Sequence, residues 1–339
     1  MKRRILGATG ISVSEFALGA MNFGDFGSSG NADHADAVGI IHAALDGGIN
    51  FIDTADVYSE GESEVIVGKA LKGRRDQVVL ATKFGLPMSA DANHTGGSAR
   101  WIKRAVEDSL RRLDTDYIDL YQMHRPDYDT DLDETLAALS DLVRAGKVRA
   151  IGSSTFPVER IAEAQWAAEK GGHRRFLTEQ PRYSILSRTI EEAVLPTAQR
   201  YGMGVLTYAP LSSGWLSGAD PTTRVRARIA AGQFDLSDPA NQAKVTAVRE
   251  LAKVAQDAGT PLTHLALAFA RSHPAVTSVL IGPRTREQLG GLLAGADVEL
   301  SDDILDRIDE IVAPGTEVNA ADNFATEPPA LLDKRLRRR

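Results

Sequence analysis

Short apolar runs alternate with longer amphipathic stretches along most of the chain. Phe16-Ala17-Leu18 is followed by a helical pattern from about Asp33 to Asp46, and Gly48 to Ile52 by one from Glu62 to Leu71. Ser59 and Glu62 have the spacing of a capping box at the start of that second helix. Val78 to Ala81 precedes a helix over Arg100–Leu113, and Tyr117 to Tyr121 precedes one over Leu132–Ala145. The unit repeats as Val148–Ile151 with Val158–Lys170, then Phe176–Thr178 with Ile190–Tyr201. Strands at Gly204–Thr207 and Val276–Leu280 bring the count to eight. Strands that each lead into a helix run parallel and are joined by crossovers. An open doubly wound sheet and a closed barrel both satisfy that pattern. The even spacing, the count and the lack of a composition break favour closure, so the expectation is one (β/α)8 TIM-type barrel domain over residues 1–339.

Three segments fall outside the repeat. Leu6 to Val13 is expected to form an N-terminal hairpin capping the barrel floor. Phe84 to Ser98 reads as a polar, Gly-rich loop, and Ser212 to Asn241 as a long insertion broken by Gly214, Gly218, Pro221 and Pro239. From Pro314 onward helical periodicity fades, and residues 315–339 read as a tail crossing the surface, ending in a basic run that solvent would accept.

Composition narrows the function. A formal net charge of -7 argues against a nucleic-acid footprint. No stretch reaches the apolar length of a membrane span, and the basic start Met1 to Arg4 is not followed by a signal core. The chain has no cysteine, which excludes disulfides and thiolate chemistry and fits a cytoplasmic location.

In a barrel of this kind chemistry gathers where strands end. Strand two runs into Asp53-Thr54-Ala55-Asp56-Val57-Tyr58, strand three into Thr82-Lys83, and strand four into Gln122-Met123-His124-Arg125-Pro126. A carboxylate, a phenol, an ammonium and an imidazole thus converge. Reduction of a carbonyl by hydride needs a proton for the developing alkoxide, and a neighbouring ammonium lowers the pKa of a phenol that supplies it. Tyr58, Lys83, Asp53 and His124 fill the roles of acid, ammonium, its carboxylate partner and oxygen-orienting imidazole. Singly, each has a plainer reading: a Schiff-base lysine, a metal ligand, a loop tyrosine. A metal-dependent lyase or hydrolase would want a second metal-prone side chain at a strand end.

Gly48 to Tyr58, Thr82-Lys83-Phe84 and Tyr117 to Pro126 resemble the signatures of the aldo-keto reductase superfamily, with similarity from about residue 4 to about residue 314. The resemblance implies that Asp53, Tyr58, Lys83 and His124 form a catalytic tetrad, that NADPH is the cofactor, that no metal is needed and that the chain is a monomer. It implies that Gly19, Ala20 and Met21 approach the nicotinamide side, with Asp53. Ser154, Thr155 and Gln180 match the residues that hold the carboxamide, Thr155 standing where the family usually has Asn. Tyr208 matches the aromatic stacked on the nicotinamide, and Leu211, Ser213 and Gly214 the pyrophosphate segment. Gly282, Arg284 and Gln288 match the adenosine-phosphate segment. Arg284 suits a 2′-phosphate because a guanidinium offers charge and paired donors. Thr285 and Gln288 also have the spacing of a helix cap, and Gly291 and Leu292 replace the usual Glu and Asn just beyond. Phe23, Phe26, Trp101 and Trp215 are candidates for an apolar substrate wall, though aromatics at such places are routinely core. The substrate implied is an aldehyde or ketone, possibly sugar-derived. The alternative is a non-catalytic NADPH-binding regulatory subunit, since the family includes channel-associated β subunits.

Overall fold

The protein is described from a computed structural model that covers residues 1–25, 30–218, 234–323 and 329–338. A two-stranded antiparallel hairpin, β1 (Arg3–Ile5) and β2 (Ser12–Ser14), opens the chain. Eight parallel strands then close on themselves: β3 (Phe16–Gly19), β4 (Phe51–Asp53), β5 (Val79–Phe84), β6 (Ile118–Met123), β7 (Val148–Ser154), β8 (Thr178–Gln180), β9 (Gly204–Thr207) and β10 (Val276–Ile281). Closure is made by β10 pairing with β3, with Leu280 opposite Ala17. The expected (β/α)8 barrel with its hairpin is therefore the fold.

Two apolar layers hold it. Phe16, Leu18, Ile52, Leu80, Tyr121, Ile151 and Val279 point outward into the layer shared with the helices. Ala17, Phe51, Ala81, Leu120, Ala150, Leu206 and Leu280 point inward and fill the lower barrel, joined by Leu6 and Val13 from the hairpin. The hairpin is thus a plug.

Helices α1 (His34–Asp46), α2 (Glu62–Leu71), α3 (Ala99–Leu113), α4 (Leu132–Arg144), α5 (Val158–Gly171) and α6 (Val194–Arg200) follow β3 to β8 in turn. Local chemistry sets their starts. The side chains of Asp33, Ser98 and Asp131 accept from backbone N–H groups of the first turns of α1, α3 and α4. The capping box expected at Ser59 does not form. Ser59 sits at φ 48° in a tight turn over Tyr58–Gly61, its hydroxyl has no partner among the described residues, and Gly61 at φ 95° takes the cap position of α2. Placing Tyr58 at the mouth bends the chain too sharply there for a β-region N-cap.

Between β9 and β10 run two helices, α7 (Pro239–Asp257) and α8 (Leu262–Ser272), which follow the Ser212–Asn241 insertion and which the sequence reading did not assign; residues 219–233 of that insertion lie outside the described residues. After β10 come α9 (Arg286–Leu293), α10 (Asp302–Ile311) and the short α11 (Pro329–Leu332), so the C-terminal stretch keeps a helical turn beyond Pro314. Its first part is tied down. Thr316 and Leu186 carbonyls exchange bonds with Arg188 and Val318 amides, and Lys244 holds Asp322 at 2.8 Å in a buried pair.

Several strands run further than their apolar runs. β7 reaches Ser154 and β8 starts at Thr178 rather than Phe176. The apolar run marks burial; the backbone ladder continues upward into residues whose inward side chains are polar.

Gly7 shows how tightly the plug fits. It has φ 52°, and a Cβ there would lie 2.4 Å from the Gly204 nitrogen and 2.7 Å from the Leu177 carbonyl oxygen. Gly7→Ala combines left-handed strain with overpacking against backbone, and we expect a loss of about 3 kcal/mol in urea unfolding. A change under about 0.5 kcal/mol would mean the plug does not bear on the barrel.

Candidate active site

The inner face of the barrel changes character with height. Two residues above Phe51, Ala81, Leu120, Ala150 and Leu206 on the same strand faces stand Asp53, Lys83, Gln122, Gly152 and Tyr208. Parity along each strand thus converts an apolar plug below into a polar cluster at the mouth.

Lys83 Nζ donates to Asp53 Oδ2 at 2.5 Å, to the Thr54 carbonyl at 2.9 Å and to the Tyr58 hydroxyl at 3.2 Å. An ammonium has three hydrogens, and all three are used. The second carboxylate oxygen, Asp53 Oδ1, accepts from Gln122 Nε2 at 3.1 Å and from Gln180 Nε2 at 2.9 Å. Both charged groups are almost wholly buried, and each is fully matched. Because the Tyr58 oxygen accepts from Lys83, its own proton is left for another acceptor. The His124 ring stands edge-on to the Tyr58 ring, with centroids 5.7 Å apart.

Electrostatics assign protonation states. Burial opposes charge on Lys83, but Asp53 and Tyr58 outweigh it and hold the ammonium above its ordinary pKa. Lys83 alone would lower the phenol, as the sequence argument expects. Burial raises it by more, so Tyr58 titrates above its ordinary value and stays protonated at neutral pH. Burial, then the charges of Lys83 and Arg125, depress His124 well below its ordinary value, so the imidazole is neutral. Its Nδ1 is buried without a partner among the described residues.

A sequence model of the Aldo/keto reductase family matches residues 15–313. The chain belongs to that family. It is 39% identical to "Uncharacterized oxidoreductase YrpG" of Bacillus subtilis (strain 168), over 95% of this chain and 99% of that protein. It is 37% identical to "Aldo-keto reductase YhdN" of the same organism, over 84% and 85% of the two chains. It is also 32% identical to "Probable voltage-gated potassium channel subunit beta" of Oryza sativa subsp. japonica, over 92% and 97%. Membership makes it one of a family of oxidoreductases.

Around Asp53, Tyr58, Lys83 and His124 of this aldo/keto reductase family member lie the other residues singled out in sequence. Gly19 ends β3 opposite Asp53, the Ala20 amide donates to the Asp53 carbonyl at 2.8 Å, and Met21 is exposed. Ser154 Oγ donates to the Gln180 carbonyl at 2.9 Å, and Thr155 Oγ1 lies 3.4 Å from the Tyr208 hydroxyl. Thr155 has φ 55°, a conformation that Asn tolerates and a β-branched side chain resists. Ser213 and Gly214 also take positive φ in a tight turn that begins after Leu211. Gly282 is exposed beyond β10, and Arg284 is half-buried beside it. Gln288 is occupied by the helix start: its amide donates to Thr285 Oγ1 and its Oε1 accepts from the Arg284 amide. Leu292 is buried under α9, while Gly291 is exposed.

The aromatics are dispersed. Phe23 is buried in the outer core, and Trp215 is buried against Phe234 with Lys244 over its ring. Trp101 is stacked on His94 and lines a small cavity with Asp56. Phe26 lies outside the described residues.

Sequence reasoning gave no role to Gln122, Gly152 or Glu179. Gln122 was legible by parity, two residues after Leu120 on β6 and two before His124 just past its end. Gly152 leaves the space that Gln122 and Thr178 fill, since a Cβ there would lie 2.0 Å from Thr178 Oγ1. Glu179 is buried behind the Thr155 turn, accepting from Ser153 Oγ at 2.5 Å and the Phe156 amide at 3.0 Å. Burial outweighs those bonds and raises its pKa to about 7. A carboxyl whose folded pKa is raised binds its proton more tightly when folded, so its contribution to stability is present at low pH and is lost as pH climbs through about 7. Unfolding free energies of wild type and Glu179→Gln should therefore diverge in favour of the variant by about 2–3 kcal/mol between pH 5 and 8. Parallel pH profiles would show that Glu179 is ionised throughout.

Proposed function

We propose that this protein reduces an aldehyde or ketone to the alcohol with NADPH, Tyr58 acting as general acid. One observation carries the reading: the Tyr58 hydroxyl accepts from a lysine whose other two hydrogens are committed, so its remaining proton can only be given outward. Lys83 and Asp53 stabilise negative charge on the phenol oxygen as that proton leaves. Neutral His124 hydrogen-bonds the substrate oxygen and sets its direction. A bound nicotinamide supplies the hydride.

The residues present fit that cofactor. Arg284 is half-buried, its side chain makes no ion pair among the described residues, and no acidic side chain of its segment is placed for an unphosphorylated ribose diol. Those features favour a 2′-phosphate. Gly282, exposed and without a side chain, lets backbone approach a ligand beside it. Ser154, Thr155 and Gln180 would meet the carboxamide and Tyr208 the ring face. The working unit in this reading is one chain acting alone in the cytoplasm.

The likeness to a protein named as a potassium channel β subunit supports a second reading, a cofactor-binding regulatory subunit. Turnover measured beside cofactor retention on the purified protein separates the two.

NADPH oxidation followed at saturating aldehyde should fall by about 10²–10⁴-fold in Tyr58→Phe, with cofactor affinity kept. Full turnover in that variant would remove the phenol from the reaction. Arg284→Gln should weaken NADPH by about tenfold or more and leave NADH nearly unchanged, read as two dissociation constants. Equal weakening of both would detach Arg284 from the phosphate.

A further inference from the structure

His124 is followed directly by Arg125, and the two side chains are used very differently. Arg125 is half-buried, two residues past the end of β6. Its Nη1 donates to the His124 carbonyl at 2.7 Å. That bond anchors the guanidinium to the rim of the barrel and leaves the Nε–Nη2 edge, a pair of parallel donors, without an acceptor among the described residues. No carboxylate among the described residues lies within ion-pair distance.

The absence is not for want of acids. Asp127 is turned toward the neighbouring loop, where Oδ2 accepts from the Gly97 amide and Thr130 Oγ1, and Oδ1 from the Asp129 amide. Glu179 has both oxygens engaged by Ser153 and Phe156. Lys83, the buried cation of the same site, is committed to Asp53. Arg125 is near enough to Tyr58, His124 and Glu179 for its charge to be felt at all three. Tyr58 lies in the loop after β4, His124 just past β6 and Glu179 on β8, so with its bond to the His124 carbonyl the guanidinium stands at the mouth.

A half-buried cation has given up part of its hydration and gains most from an anion that supplies two parallel acceptors. One guanidinium with one open edge matches one carboxylate; a phosphate dianion would want a second cation. We propose that Arg125 is a specificity-determining residue that binds the carboxylate of an acidic carbonyl substrate while the carbonyl lies at Tyr58 and His124. This rests on the reductase reading and names the substrate class: aldehydes or ketones carrying a carboxylate within one ring or a short chain of the reacting carbon.

The test uses the intact protein with NADPH and two acids, 3- and 4-carboxybenzaldehyde, each against its methyl ester, which keeps the ring and removes the charge. The wild type should prefer at least one acid over its ester by about 10–100-fold in kcat/KM, mostly through KM. Arg125→Gln should collapse that acid-to-ester ratio to near one, and Arg125→Lys, which keeps the charge and loses the fork, should recover part of it. A guanidinium that only caps the His124 carbonyl would change acid and ester alike and leave the ratio intact. Acid-to-ester ratios near one in wild type, or unaltered in Arg125→Gln, overturn the assignment even if every ester is reduced. If neither acid nor ester is reduced, it is the reductase reading that fails. The carboxylate site is then judged by titrating 4-(hydroxymethyl)benzoate, followed by tryptophan fluorescence. About tenfold weaker binding in Arg125→Gln upholds it, and equal binding sinks it.

Discussion

The site is built around a buried ion pair, Lys83 with Asp53, at 2.5 Å. Taking two charges out of water costs several kcal/mol each, and their attraction offsets this only when every remaining lone pair and proton is matched. Here Thr54 and Tyr58 take the other ammonium hydrogens, and Gln122 and Gln180 serve the other carboxylate oxygen. These partners come from β4, β5, β6 and β8 and the loop after β4, so the pair is satisfied only once the barrel has closed. The phenol hydroxyl accepts from Lys83 and keeps its own proton for a group outside this shell.

Rigidity below permits strain above. Among the described residues, the non-glycine residues at positive φ are Ser59, Glu60, Asp114, Thr155, Ala209, Ser212 and Ser213, and all but Asp114 lie in loops that follow barrel strands at the mouth. Each such conformation costs of order 1 kcal/mol or more and persists only where its surroundings over-determine it. The interior plug of Leu6, Phe51, Leu120 and Leu206, together with the helical layer outside, supplies that constraint. Thr155 is the sharpest case, because a β-branched residue holds a left-handed turn that Asn would accept more readily. Glu179 anchors the turn from behind through the Phe156 amide.

Burial also revises a simple charge argument. Lys83 beside Tyr58 suggests an acidified phenol, yet enclosure in the barrel raises the phenol by more than the ammonium lowers it. The result is a phenol that keeps its proton at neutral pH with an ammonium directly beneath its oxygen. The same enclosure keeps His124 neutral, so it offers a hydrogen bond without a competing positive charge.

Much of this was legible before folding. The repeat of strand and helix, the polar residues past strands two, three and four, and the cap spacing of Thr285 and Gln288 depend on local spacing, and local spacing is what a chain carries in one dimension. The strand ends were blurred because hydropathy stops where side chains turn polar while the backbone ladder runs on. Ser59 has the right spacing for a cap, but spacing says nothing of the left-handed turn that Tyr58 imposes on it. Gln122, Gly152 and Glu179 acquire meaning only from what stands across the barrel from them. Arg125 becomes notable only because the acids near it are already taken. Sequence alone determined which groups the mouth would hold; closure decided which of them touch, because hydrogen bonds and charge states are set by distances and burial between strands far apart in the chain.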